Sequence, residues 1–142
     1  MLAKKIKEYL KAEEIEKNPK EIREQIENAL KKENINIESS FSELMIKYDE
    51  EFEGSEGLMI NVGYDLLEYE TSLTKHFRDH YKIAIEYLPL FNLETDDFLF
   101  YNKNNDTVTL VEAEDINLFN ENKIKPTWKS FDKFLKDFFE LE

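Results

Sequence analysis

The C-terminal third of the chain constrains its fold most. In PTWKSFDKFLKDFFELE, the side chains of Trp128, Phe131, Phe134, Leu135, Phe138 and Phe139 recur at three- and four-residue spacing, which places them on one face of a helix. An aromatic stripe of that width needs another layer to cover it. The layer stands just upstream. FLFYNKNNDTVTLVEAED, Phe98–Asp115, reads as two short strands, Asp97–Tyr101 and Thr107–Glu112, around a polar turn. Asn102, Asn104, Asn105 and Asp106 in that turn tolerate left-handed backbone. Phe98 and Phe100 share one face of the first strand, and Val108 and Leu110 share a face opposite Val111 in the second. A polar link leads to Pro126, with Thr127 as the expected N-cap of the terminal helix. Hairpin and helix together form a packing unit.

The first 36 residues read as two amphipathic helices. Ile6, Tyr9 and Leu10 share a face of the first. Asn18-Pro19 breaks the pattern, with Asn18 the expected cap and Pro19 the first helical position of the second, whose stripe is Ile22, Ile26, Ala29 and Leu30. Ser39 or Ser40 starts a third helix, and Ser40 with Glu43 fits a capping box, Ser40 being the cap. Its inner face is Phe41, Leu44, Met45, Tyr48 and Phe52, and Gly54-Ser55-Glu56-Gly57 turns the chain. Leu58–Val62 reads as a strand closed by Gly63, Tyr64–His80 as a helix, and Tyr81–Phe91 as a strand ending irregularly at Pro89. The expectation is a single α+β domain over 1–142. It has a small mixed or antiparallel sheet flanked by helices, and 1–36 form an N-terminal helical addition.

Charge is unevenly placed. Residues 1–40 hold nine basic and nine acidic side chains, so residues 41–142 carry the whole net charge of −13. Such a surplus disfavours nucleic acid, anionic membranes and phosphorylated substrates, and it steers a basic protein inward. It also serves simply to keep a protein soluble. The acids gather in three places. Asp49, Glu50, Glu51, Glu53 and Glu56 close the third helix, where they oppose its dipole. Glu94, Asp96 and Asp97 precede the hairpin, and Glu112, Glu114 and Asp115 follow it. If the two strands pair, Asp97 and Glu112 crowd together at the open end.

Signatures of chemistry are sparse. No cysteine is present, which removes disulfides, thiol nucleophiles and zinc–thiolate sites. Gly54, Gly57 and Gly63 match no phosphate-cradling loop, and Ser55 and Ser72 lie in no nucleophile elbow. His76 and His80 stand at i and i+4, a spacing that presents two nitrogens to one metal. Phe77, however, occupies the place where a zinc-protease motif needs Glu. Two half-exposed histidines at a helix end is the simpler reading. No cofactor or metal is expected, and no enzyme activity. The N-terminus has a basic start without a following apolar run, so neither a signal peptide nor a membrane span is expected, and the expected location is cytoplasmic.

The order of elements from Ile37 to Phe139 resembles the SUKH superfamily, the Smi/Knr-type proteins. The likeness rests on an opening helix of the type FSELMIKYDEEF, a glycine turn and strand GSEGLMINVG, the strands IAIEYLPLF and DFLFYNKNNDTVTLVE, and a closing helix introduced by Ser-Phe, WKSFDKFLKDFF. The resemblance implies an α+β binding domain without catalytic residues. Many bacterial members are implied to be immunity proteins that neutralise polymorphic toxins, often nucleases. The expected partner is then a cognate basic protein toxin. Contact would run through Glu50, Glu51, Glu53, Glu56, Asp96, Asp97, Glu112, Glu114 and Asp115, with no direct nucleic acid or membrane binding. The alternative is a general interaction or regulatory module of the same superfamily.

Overall fold

The structure, a computed structural model, describes residues 1–93 and 95–142; Glu94 lies outside the described residues. Helices α1 (Lys4–Ala12), α2 (Lys20–Lys32) and α3 (Ser40–Lys47) lead into a hairpin of β1 (Glu51–Gly54) and β2 (Gly57–Ile60). Helices α4 (Val62–Leu67) and α5 (Leu73–His80) follow. Next come strands β3 (Tyr87–Pro89), β4 (Asp97–Asn102) and β5 (Val108–Glu112), then α6 (Ile116–Asn120) and α7 (Phe131–Phe138). The fold is α+β. Its strands form two antiparallel sheets, β1-β2 and β3-β4-β5, joined where the Ile60 amide donates to the Leu90 carbonyl at 2.9 Å.

The three-stranded sheet is covered on both faces, so β4 is apolar along nearly its whole length. Leu99 and Tyr101 face the main core, with Phe41 and with Phe131, Phe134, Leu135 and Phe138 of α7. Phe98 and Phe100 face a second cluster with Phe77 of α5, Val111 and Phe119 of α6. The aromatic stripe of α7 is therefore interior, as its spacing predicts. Leu2, Ile6 and Leu10 of α1 and Ile26 and Leu30 of α2 belong to the main core as well. Glu33, at the end of α2, takes a bidentate pair from Arg78 of α5 at 2.8 and 3.1 Å and lies 3.8 Å from Lys103 of the β4–β5 turn.

Several boundaries differ from the sequence expectation, each for a physical reason. Helix α3 ends at Lys47 rather than running through Phe52. Buried Asn61 donates through Nδ2 to the carbonyls of Met45, Tyr48 and Asp49 at 2.8–2.9 Å. Asn18, also buried, donates to those of Ile46 and Tyr48. These two side chains satisfy the orphan carbonyls at the helix end and release the chain into β1. Asn18 is thus a tertiary latch, its Oδ1 accepting from the Tyr64 hydroxyl at 2.7 Å, and Pro19 takes the cap position of α2.

Ser39, not Ser40, caps α3 through the Ser42 amide. Glu43 reaches the Leu2 amide at 3.0 Å instead of closing a capping box. The expected helix Tyr64–His80 is interrupted at Glu68–Ser72. Ser72 caps α5, and the Asp65 carboxylate accepts from the Leu73 and Thr74 amides. The strand expected over Tyr81–Phe91 shrinks to Tyr87–Pro89, after Lys82 adopts a left-handed φ of 58°. Ser130 caps α7 in place of Thr127. Thr127 Oγ1 instead accepts from the Leu110 amide, and Trp128 bridges to Val108 on the edge of β5.

Candidate functional acidic surfaces

Shortening α3 changes the meaning of the first acidic cluster. Glu51 and Glu53 do not stand at the helix end, because they lie on β1, alternating with buried Phe52. Pleat geometry sends Glu51 and Glu53 to the same exposed face of the hairpin. Together they line a groove of about 620 Å³ between β1 and the ends of α1 and α7. Its other acidic walls are Glu13, Asp49 and Glu140, and its apolar lining includes Phe52, Phe138 and the Tyr9 ring, stacked on Phe139 with centroids 4.6 Å apart. Burial, and then the negative charges of Glu13, Glu140 and Glu53, push the Tyr9 phenol above its ordinary pKa. Three carboxylates from three separated parts of the sequence thus act on one ring.

Glu50 and Glu56 do not join that groove. The Glu50 carbonyl accepts from the Asn61 amide. Its carboxylate, with Asp49, adds to the burial that raises the Tyr64 phenol. Glu56 sits exposed in the β1–β2 turn.

The second and third clusters merge into one rim at the open end of the β4–β5 hairpin. Asp97 is the cross-strand partner of Glu112, and Glu114 and Asp115 follow in a single 3-10 turn. The Glu112 carboxyl is raised above its ordinary pKa, first by a hydrogen bond shared with Glu114, then by the charges of Glu114, Asp115 and Asp97. Asp96 is exposed just outside the strand, and Glu94 lies outside the described residues. The nine expected contact residues therefore divide between two sheets: Glu50, Glu51, Glu53 and Glu56 on the β1-β2 hairpin, and Asp96, Asp97, Glu112, Glu114 and Asp115 at the end of β4-β5.

The histidine pair is exposed on α5, the rings stacked at 5.2 Å between centroids. Among the described residues no three metal-ligating side chains converge, and no helix is long and apolar enough to cross a membrane. Glu13 and Glu140 were not among the residues expected from sequence. The signal available for them was slight: each stands within four positions of an aromatic residue at a helix end, Tyr9 and Phe139.

Fold and site together define a small α+β chain bearing two separate acidic surfaces, one a groove with an aromatic floor and one a charged rim. No protein-family model, curated protein or solved structure matches the chain.

Proposed function

We propose that this chain is a binding protein of the immunity type, which neutralises a cognate basic toxin by occluding it. The observation that carries the reading is the groove beside β1. Five carboxylates line it beside the half-buried Tyr9 ring, so charge and an aromatic contact point occur in one place. Interfaces take their affinity from buried aromatic anchors and their steering from surrounding charge. The SUKH resemblance supplies the biological setting. A toxin built to act on nucleic acid carries cations that hold phosphate, and carboxylates on a rigid scaffold compete for those same cations.

The test is co-expression with the toxin encoded beside this gene. Survival with the intact chain, and death with Glu51→Lys/Glu53→Lys, is the expected pattern. If cells expressing the intact chain die as readily as cells without it, the immunity reading fails. Asp97→Lys/Glu112→Lys serves as a parallel variant that separates the rim from the groove.

A further inference from the structure

The outer edge of β1 is open, and the hairpin register shows which backbone groups it offers. Ser55-Glu56 is a two-residue turn flanked by the pair Gly54 and Gly57. In an antiparallel ladder, hydrogen-bonded and non-hydrogen-bonded pairs alternate. Gly54 and Phe52 therefore bond to β2, while the N–H and C=O groups of Glu51 and Glu53 point away from it. Two bonds confirm the parity. Ile60, opposite Glu51, sends its amide outward to the Leu90 carbonyl at 2.9 Å, and Asn61 donates to the Glu50 carbonyl at 2.9 Å.

Among the described residues, no protein group bonds to the backbone of Glu51 or Glu53. The opening has closed ends. Lys17 bridges to Tyr48 upstream, and Phe138 accepts the Ser55 amide at 2.7 Å downstream. Between them, Asp49 and Glu51 to Gly54 line the groove.

We propose that this edge takes up an extended, basic segment of a partner protein as an added strand. The inference rests on the reading of the acidic groove as a protein-binding surface and specifies how it binds. Residues of the added strand directly opposite Glu51 and Glu53 project to the same face as those carboxylates, with Cβ atoms about 5 Å apart. Lysine or arginine at positions i and i+2 meets both acids. The residue between them turns to the other face, that of Phe52, so an apolar side chain suits it. The recognised pattern is basic–apolar–basic. Backbone hydrogen bonds supply affinity in this mode and the alternating side chains supply specificity. The competing explanation is that Glu51 and Glu53 guard the edge against unwanted pairing, and it predicts no peptide binding.

Titration of the full chain with an N-acetylated, C-amidated Lys-Val-Lys-Val-Lys peptide separates the two. Saturating peptide should slow amide exchange at Glu51 and Glu53 at least tenfold. Methylating the peptide's lysine amides, which face β1, should weaken binding at least tenfold, whereas methylating the valine amides should leave it unchanged. Glu53→Pro removes an outward N–H together with one contacting carboxylate, without touching the β1–β2 ladder, and should weaken binding more than Glu53→Gln, which removes the charge alone. Absence of binding overturns the proposal, and so does equal affinity for both methylated peptides without slowed exchange. A chain that protects cells from its toxin yet fails these titrations keeps its immunity role and loses this mode of contact.

Discussion

Asn61 holds the end of α3 that releases the chain into β1, and its replacement by alanine should be among the most damaging single changes in the chain. The side chain is 1% exposed. Its two Nδ2 protons serve three carbonyls at the end of α3, and its Oδ1 accepts from the Gly63 amide at 2.8 Å, capping α4. Losing a cap costs about 1 kcal/mol, and each buried carbonyl left without a donor costs about 1–3 kcal/mol. With two protons lost, Asn61→Ala should cost roughly 3–7 kcal/mol, a large part of the roughly 5–15 kcal/mol that holds a small domain. At roughly 3 °C per kcal/mol for a domain near this size, Tm should fall by about 10–20 °C. Urea and thermal unfolding measure this, and native-state amide exchange should show β1 and β2 opening before α7. Asn61→Asp keeps the cap acceptor and loses both donors, so it should recover no more than about 1 kcal/mol. A loss below about 1 kcal/mol for alanine, or an aspartate variant as stable as the parent, refutes the claim that these bonds end the helix.

Gly54→Ala should destabilise by about 1–3 kcal/mol, because a Cβ there falls 2.5 Å from the Phe138 carbonyl and 2.6 Å from its ring; chemical denaturation reads the loss. Glu33→Gln leaves the nearly buried Arg78 and Lys103 side chains, 11% and 7% exposed, without their counter-charge, and should cost roughly 2–4 kcal/mol in the same assay. Glu112→Gln should stabilise the chain at neutral pH. A carboxyl pKa raised by folding means that the folded state holds the proton more tightly, so stability is lost as pH rises through the folded pKa. The gain should therefore be full near pH 7 and vanish below the ordinary carboxylate pKa of about 4.3, which denaturation as a function of pH checks.

The elements that proved legible in the sequence were those whose pattern repeats over several residues. The α7 stripe and the β4–β5 pairing, including Asp97 opposite Glu112, follow from periodicity and turn chemistry alone. Failures came where a distant polar side chain decides the outcome. Nothing within Phe41–Phe52 announces that Asn18 and Asn61 will cap α3 at Lys47. The apolar spacing continues past that point, and a helical reading follows it. The same holds for Asp65, which starts α5 from eight residues upstream. The groove was only half legible for a related reason. Glu51 and Glu53 stand out as part of an acidic run, whereas Glu13 and Glu140 become site residues only when the ends of α1 and α7 meet at the Tyr9–Phe139 stack.

The two acidic surfaces differ physically, and the difference predicts separate roles in binding a basic partner. At the rim, exposed Glu112 and Glu114 and half-buried Asp97 and Asp115 crowd like charges together, an arrangement that opposes folding. Charge of this kind acts over about a Debye length and accelerates encounter, with little effect on the lifetime of the complex. In the groove, carboxylates flank Tyr9, Phe138 and Phe139. Phe138 and Phe139 are already buried, so a partner seated there covers the half-buried Tyr9 ring and desolvates its ion pairs, which lengthens that lifetime. Asp97→Lys/Glu112→Lys should therefore lower the association rate severalfold and flatten its salt dependence, while Glu51→Lys/Glu53→Lys should raise the dissociation rate by at least tenfold. Surface-binding kinetics at two salt concentrations distinguish them. If both pairs change only the association rate, the aromatic floor takes no part in the contact, and the groove is no more than another stretch of acidic surface.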